Sequence, residues 1–250
     1  MIKQRILSKR AGGVSLLRLS LLNMGLLDEL LAGFFVIGLP LSRQQLGLSY
    51  GQIGLIFSVA ALAGMVFDPV INLLSDRGSK RWWILGGLCG LVIADILAGS
   101  IATFPVLLVA WALGYTSGGA AIGLSQAALI DGAPGESTRT MTRWTMVSGV
   151  GDLLSPLAVT TILAAGLGWT GLCLISAGLW LAVALVILPQ RFPRPGASYS
   201  HENEEHDGGT GKSDVENLYD TEAHVSILQG LRQGLRDRIL LRWATLEVLT

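Results

Sequence analysis

The feature that most constrains the fold of this chain is a series of six long apolar stretches. They cover approximately residues 14–40, 51–74, 82–101, 106–130, 144–166 and 169–189. Each stretch is long enough to cross a hydrocarbon core of about 30 Å as an α-helix, in which the backbone polar groups bond within the segment. Only 14% of the residues are charged and the mean hydropathy is +0.55, whereas soluble domains have roughly 25% charged residues. The sequence therefore predicts an all-α, polytopic membrane protein with a six-transmembrane-helix bundle.

The polar segments predict how the rest of the chain is organised. Residues 1–13 are expected to form a cytoplasmic N-terminus and residues 14–190 the bundle. Residues 191–224 are rich in proline, glycine and acidic side chains, which is typical of a disordered linker. Residues 225–250 begin with leucines at helical spacing among arginines and end in an apolar run. This pattern predicts an amphipathic helix on an anionic membrane surface, followed by the start of a seventh span.

Lysine and arginine are unevenly distributed, and this bias predicts the orientation of the bundle. If the N-terminus is cytoplasmic, the connections on the opposite side contain only Arg43 as a basic residue. The cytoplasmic side then contains Lys3, Arg5, Lys9, Arg10, Arg77, Lys80, Arg81, Arg139, Arg143, Arg191 and Arg194. We therefore expect a multi-pass protein of the cell membrane, either plasma or inner, with its N-terminus and its linker in the cytoplasm.

A charged turn between the second and third stretches carries the most specific local signal. Residues 72–81 are Asn-Leu-Leu-Ser-Asp-Arg-Gly-Ser-Lys-Arg, which resembles the Gly-x-Leu-Ala-Asp-Arg-x-Gly-Arg-Arg signature of the major facilitator superfamily. Asp76, Arg77, Lys80 and Arg81 match the signature, whereas asparagine and serine replace its two glycines. An ordinary positive-inside loop would explain the last two bases but not the acid–base pair. The resemblance implies the N-terminal six-helix half of such a transporter, which is built from two inverted three-helix repeats.

The same resemblance implies that this turn is a gating motif. In the family, the acid of the turn pairs with charge on the C-terminal half and stabilises a conformation closed to the cytoplasm; here that acid is Asp76. A pair that forms in only one state biases a two-state equilibrium. Asp131 follows the fourth stretch and is expected on the same face. There it either completes a charge network with Arg77 or Arg81 or remains a solvated acid at a helix end.

An internal repeat supports the division into two three-helix units. The second stretch contains Gly-x3-Asp-Pro at 64–69, and the fifth contains Gly-x3-Ser-Pro at 151–156. Proline removes a backbone hydrogen bond and glycine allows close approach of another helix, so each motif indicates a bend that is also tightly packed. The fifth-stretch motif also resembles the Gly-x3-Gly-Pro motif of the family's antiporters, although serine replaces one glycine. The candidate hinge residues are Gly64, Pro69, Gly151 and Pro156.

Polar side chains inside the apolar stretches form the candidate substrate or proton site. An ionisable residue at mid-depth costs at least about 2.5–3.5 kcal/mol, so it normally faces the bundle interior or a wet cavity. Asp28 and Glu29 are adjacent, so about 100° separates them around the helix axis. We expect one of them, preferably Asp28, to line the cavity and exchange a proton or contact a cationic substrate; the alternative is a pair held by helix–helix hydrogen bonds. The candidates are Asn23, Asp28, Glu29, Asp68 and Asp152, and the third stretch also contains Asp95.

These features favour a secondary active transporter that moves a small organic solute by alternating access, with proton-coupled efflux as the preferred mode. Two other classes stay open: a non-transporting membrane assembly or receptor protein on the same scaffold, and a membrane-embedded enzyme. The stretches contain no histidine, so we predict no catalytic residue, metal or cofactor. The charge pattern does not indicate nucleic-acid binding. Besides lipid, a missing C-terminal half or a partner chain is expected, because cavities of this family lie between two six-helix halves.

Overall fold

The computed structural model describes residues 2–76, 78–100, 103–133, 135–190 and 192. The linker and the amphipathic segment predicted after residue 190 lie outside them, apart from residue 192. The helices are α1 (Ile2–Leu46), α2 (Tyr50–Asp76), α3 (Lys80–Ser100), α4 (Phe104–Gly118), α5 (Leu124–Asp131), α6 (Ser137–Ala164) and α7 (Gly168–Ile187). A π-helical turn, Gly119–Gly123, joins α4 to α5.

Six segments of these helices are long and apolar enough to cross a membrane. They are Leu16–Gly38, Tyr50–Ser75, Lys80–Ser100, Phe104–Asp131, Ser137–Ala164 and Gly168–Ile187. The fourth combines α4, the π-helical turn and α5, and we call it the fourth span. The predicted all-α bundle of six spans is confirmed.

Two helices are longer than the apolar stretches that predicted them. α1 already begins at Ile2, and α6 begins at Ser137 rather than near residue 144. The connection before α6 is therefore residues 132–136, much shorter than the dozen residues expected from hydropathy. The reason is that hydropathy detects only the part of a helix that suits hydrocarbon. A helix continues into polar surroundings wherever its backbone hydrogen bonds are made and its polar side chains stay exposed.

The turn between α1 and α2 is closed by local hydrogen bonds. Gly47 has a φ of 63°, and the backbone N–H of Leu48 donates to the carbonyl of Arg43 at 3.1 Å, which ends α1 in a Schellman motif. Ser49 and Gln52 then form a capping box, in which each side-chain oxygen accepts a hydrogen bond from the other residue's backbone N–H, at 3.2 and 2.9 Å. The chain therefore reverses direction here in a single tight turn.

The first Gly-x3-polar-Pro motif packs α2 against the fourth span. A β-carbon added at Gly64 would lie 2.7 Å from Cδ1 of the Tyr115 ring. One turn further along α2, the carboxylate of Asp68 lies so close to Gly119 that a β-carbon there would be 2.8 Å from its Cγ. Both members of the motif therefore contact the first helical span of the other three-helix unit.

The second motif packs α6 against α1 in the equivalent way. A β-carbon added at Gly151 would overlap the carbonyl oxygen of Leu26, and one added at Gly33 would lie 2.6 Å from the β-carbon of Ser155. In each unit the middle helix thus packs on the first helix of the other unit, with the motif glycine and polar residue one turn apart. This pairing agrees with the two repeats predicted from the sequence. Pro69 and Pro156 are exposed on the surface of the bundle.

Candidate functional site

A cavity of about 530 Å³ lies among α1, α2, α3, the fourth span and α7. Its aromatic wall is formed by Phe35, Phe57, Trp111, Tyr115 and Trp180. The Trp111 ring packs edge-on against Phe35 and Phe57, with ring centroids 5.5 and 4.8 Å apart. Such edge-to-face contacts favour a fixed ring orientation. The wall therefore places rings of fixed orientation beside the cavity.

Three carboxyl groups also line this cavity: Asp28 of α1, Asp68 of α2 and Asp95 of α3. Among the described residues that line it, none is basic. Carboxylates that share a partly enclosed space repel one another, because little water is present to screen them. The cavity is therefore suited to take up positive charge, either as protons or on a solute.

Asp95 is held between α3 and α7. Its side chain is 5% exposed, and its Oδ2 accepts a hydrogen bond of 2.5 Å from the hydroxyl of Ser176. The sequence placed Asp95 in the third stretch but did not include it in the candidate site. Its position in the middle of an apolar span was the same signal that identified the other acids.

Asp68 differs from Asp95 in its hydrogen bonding. Its Oδ1 atom is buried and has no hydrogen-bond partner among the described residues. The carboxylate lies against Gly119, the first residue of the π-helical turn. The other face of this turn packs on α3, where a β-carbon added at Gly87 would be 2.6 Å from the backbone nitrogen of Ala121. The turn is thus fixed against α3 while its glycine leaves room for Asp68.

The adjacent acids of α1 point in different directions, as helix geometry requires. Asp28 is half-buried and lines the cavity, whereas Glu29 is half-buried and is not among its described lining residues. Asn23 and Asp152 are exposed on the surface of the bundle within the first and fifth spans. The structure therefore brings two of the five sequence candidates, Asp28 and Asp68, into one cavity.

The charged turn between α2 and α3 leads into an ion pair among the described residues. Nζ of Lys80 lies 2.6 Å from Oδ2 of Asp131, so Asp131 pairs with Lys80 rather than with the arginines considered from the sequence. Arg81 instead donates to the carbonyl of Leu188 at the end of α7 and lies 5.3 Å from the ring centroid of Trp82. Arg77 and the side chain of Asp76 are outside the described residues.

A second arginine ties helices together at the same end of the bundle. Arg18 of α1 donates to the carbonyl of Gly132, which caps α5. A guanidinium group at a helix C-terminus satisfies free carbonyls and complements the negative end of the helix dipole. These contacts and the Lys80–Asp131 pair join α1, α3, α5 and α7 at the end of the bundle that the sequence predicts to be cytoplasmic.

In the part of the chain that the structure describes, no group of three histidine, cysteine, aspartate or glutamate side chains is placed to hold a metal ion. Cys173 is buried and Cys89 is exposed, and both are free thiols. The chemistry available in the cavity is that of carboxyl groups and aromatic rings.

Six apolar spans, of which all but the fifth line a cavity that contains three carboxyl groups, define the class: a multi-pass membrane protein whose acids converge within the bundle. The model of the Major Facilitator Superfamily matches residues 21–249, and the chain belongs to that superfamily. No curated protein matches the chain.

A solved structure shows the same fold. It is the crystal structure of a bacterial homolog of the human lysosomal transporter Spinster, in an inward-facing and unoccupied conformation. The TM-score is 0.58 and the sequence identity is 21%, with 82% of this chain and 47% of that chain covered. The chain therefore spans about half the length of this solved transporter.

Proposed function

We propose that this chain is the N-terminal half of a secondary active transporter that moves a small organic solute by alternating access. The observation that carries the proposal is the cavity of about 530 Å³, in which three acids from three different spans meet an aromatic wall. Ionisable groups at membrane depth are costly, and their usual role is to bind solutes or protons. Membership of the superfamily and the fold of the solved transporter support the same conclusion.

Polar groups on the outer surface of the bundle support the need for a second half. Asn23 and Asp152 are exposed at membrane depth, where contact with lipid would leave them without hydrogen-bond partners. A second six-helix half, in the same chain or in a partner, would cover this surface and provide a wet or polar neighbour. The length of the solved transporter, about twice that of this chain, favours the same arrangement.

The transport that we propose is proton-coupled efflux, with Asp28 as the proton-binding residue. Asp28 lies in the cavity close to the middle of the first span, together with two other carboxyl groups. A proton on one of these groups relieves their mutual repulsion, and so does a positively charged solute. Binding of one therefore weakens binding of the other, which is the thermodynamic basis of exchange.

Gating is assigned to the turn between α2 and α3. The Lys80–Asp131 pair joins α3 to the fourth span, and Asp76 is the last residue of α2, just before this pair in the sequence. We propose that Asp76 pairs with the second half when the cavity is closed to the cytoplasm, and that the N-terminus and this turn face the cytoplasm of a cell membrane. A pair that forms in one conformation only would stabilise that conformation.

The test is transport in proteoliposomes that contain the full chain, together with any companion half that copurifies. An outward proton gradient is imposed, and the flux of tetraphenylphosphonium, methyl glucoside and benzoate is followed together with the internal pH. We expect saturable flux of at least one probe with proton movement in the opposite direction. Asp28→Asn should abolish the dependence on the gradient, whereas Glu29→Gln should retain it. Gradient-driven flux that is unchanged in both variants would refute the coupling.

The same assay distinguishes the remaining classes. Saturable transport by this chain alone would overturn the requirement for a second half. An absence of flux for every probe, in protein that is folded and assembled with its companion, would favour a non-transporting role on the same scaffold.

A further inference from the structure

We propose that the solute bound in the cavity is an organic cation, whose charge is bound by Asp68 and whose apolar groups pack against Trp111 and Tyr115. This inference names the substrate class of the cavity described above and rests on the proposed function.

The chemistry of the lining disfavours other solute classes. Three carboxyl groups and no base are present among the described lining residues, so an organic anion would meet uncompensated repulsion. The same residues include no serine, threonine, asparagine or glutamine. A sugar or another hydroxyl-rich solute would therefore lose most of its hydrogen bonds to water without replacing them. A cation with apolar substituents is the solute whose groups match both kinds of wall.

Asp68 is the cavity acid that remains to bind the charge, because Asp28 is assigned above to the proton. The Oδ2 atom of Asp95 is already occupied by the hydroxyl of Ser176, and Asp95 is almost fully buried. Oδ1 of Asp68 is packed against Gly119 and, like the equivalent Ser155 hydroxyl, has no hydrogen-bond partner among the described residues, whereas Oδ2 is not among the buried atoms without a partner. A carboxylate without a donor on Oδ1 keeps its charge uncompensated, and a bound ammonium or similar cation that contacts Oδ2 from the cavity would compensate for it.

The internal repeat shows that helix packing alone does not require a carboxylate at this position. Ser155 occupies the equivalent place in the second motif and packs on Gly33 as Asp68 packs on Gly119. A small hydroxyl side chain is therefore sufficient to fill the contact between two spans. Of the two equivalent residues, only Asp68 lines the cavity. The carboxylate is thus present where a solute can reach it.

The aromatic wall is arranged to receive the rest of the cation. Trp111 is fixed edge-on by Phe35 and Phe57, and the Tyr115 ring packs on Gly64, one helical turn from Asp68. A cation within about 6 Å of an aromatic face is attracted by the negative face of the ring. The charged and aromatic groups are therefore neighbours along the same helix pair, as one ligand with both features requires.

The experiment compares two probes of nearly the same shape and opposite charge, tetraphenylphosphonium and tetraphenylborate. Binding of each is measured on the full chain, with its companion half, in nanodiscs of uncharged phosphatidylcholine. We expect saturable binding of the phosphonium and at least about 100-fold weaker protein-specific binding of the borate. Asp68→Ser, which copies the packing of the second motif, and Asp68→Asn should each weaken phosphonium binding by about tenfold or more. Glu136→Gln, which removes an exposed acid outside the cavity, should bind as the parent does.

A measurement on the unsubstituted protein keeps the inference testable if the Asp68 variants do not fold. Dicyclohexylcarbodiimide modifies carboxyl groups in apolar surroundings, and we expect tetraphenylphosphonium to protect Asp68 from it, as quantified by peptide mass spectrometry. Equal binding of the two probes, full phosphonium affinity in Asp68→Ser, or an absence of protection at Asp68 would each overturn the inference.

The inference and the proposed function fail in different ways. Phosphonium binding that depends on Asp68, without any gradient-driven flux, would support the cation site and contradict transport. Gradient-driven flux of methyl glucoside or benzoate that tetraphenylphosphonium does not inhibit would support transport and overturn the cation site.

Discussion

The contact between α1 and α6 leads to the sharpest prediction, because it involves backbone atoms that cannot move independently. A β-carbon added at Gly151 would overlap the carbonyl oxygen of Leu26, and it would lie 3.0 Å from the carbonyl carbon of Leu26 and 3.1 Å from the backbone nitrogen of Leu30. No side-chain rotation can relieve these contacts. In Gly151→Ala the two helices must therefore move apart.

The size of the effect follows from these distances. The added β-carbon would overlap the Leu26 oxygen, whereas non-bonded heavy atoms are most stable about 3.5–4.0 Å apart, so the helices must separate by more than about 1 Å at this point. Overpacking of this kind usually costs about 1–3 kcal/mol, whereas alanine gains up to about 1 kcal/mol over glycine in helix propensity. We expect Gly151→Ala to lower the free energy of unfolding by about 1–2 kcal/mol.

Gly149→Ala is the matched control, because it lies one half-turn away on the same helix and an added β-carbon there meets no atom within 4 Å. It should unfold at the same or a slightly higher denaturant concentration than the parent. Both variants are titrated with sodium dodecyl sulfate from mixed micelles, and the loss of helix is followed by far-ultraviolet circular dichroism. Equal stability of the two variants would refute the conclusion that Gly151 permits a close helix contact.

Three further predictions concern hydrogen bonds, charges and topology. Ser176→Ala leaves the buried carboxyl of Asp95 without its donor, so the free energy of unfolding in the same titration should fall by about 1–3 kcal/mol, and the loss should be smaller in an Asp95→Asn background. The Lys80–Asp131 pair has side-chain exposures of 18% and 58%, so Asp131→Asn should change stability by less than about 1 kcal/mol. Because we assign this pair to gating, Asp131→Asn should alter the transport rate, and the double variant Lys80→Asp with Asp131→Lys, which exchanges the two charges, should restore it. Single cysteines are placed at Ser79 and at Gln44 in a variant without native cysteines. They should react with an impermeant maleimide from opposite sides of the membrane, and the cysteine at Ser79 should react only from the cytoplasm. Reaction of both cysteines from one side would contradict the topology.

The sequence predicted the spans well because a bilayer imposes a single strong requirement. A segment of about 20 apolar residues can satisfy its backbone in hydrocarbon only as a helix, so length and hydropathy were sufficient. The divergence of Asp28 and Glu29 was predictable for a similarly local reason, since adjacent residues on a helix differ by about 100°. Local geometry did not predict the start of α6, because polar residues there continue a helix beyond the apolar core.

The parts of the site that depend on tertiary structure were not predictable from local patterns. Asp95 gains its hydrogen bond because α7 supplies Ser176, and Asp131 pairs with Lys80 because α3 begins beside the end of α5. The π-helical turn at Gly119–Gly123 is a distortion that a glycine-rich sequence allows but does not specify. Each of these features depends on which helices become neighbours, and no single apolar stretch contains that information.

The internal repeat separates the structural role of a motif from its functional role within one molecule. The two motifs share glycine, polar residue and proline, and both place the glycine and the polar residue against the first helix of the other unit. A requirement of the scaffold alone should be met equally well by serine or aspartate at the polar position. Helix packing therefore does not determine whether aspartate or serine occupies the polar position of the motif. Asp68 lines the cavity and Ser155 does not, so the two motifs differ at the position where a binding site would need a different residue. The reciprocal exchange tests this argument: Ser155→Asp should not create cation binding, and it should not restore binding in an Asp68→Ser background.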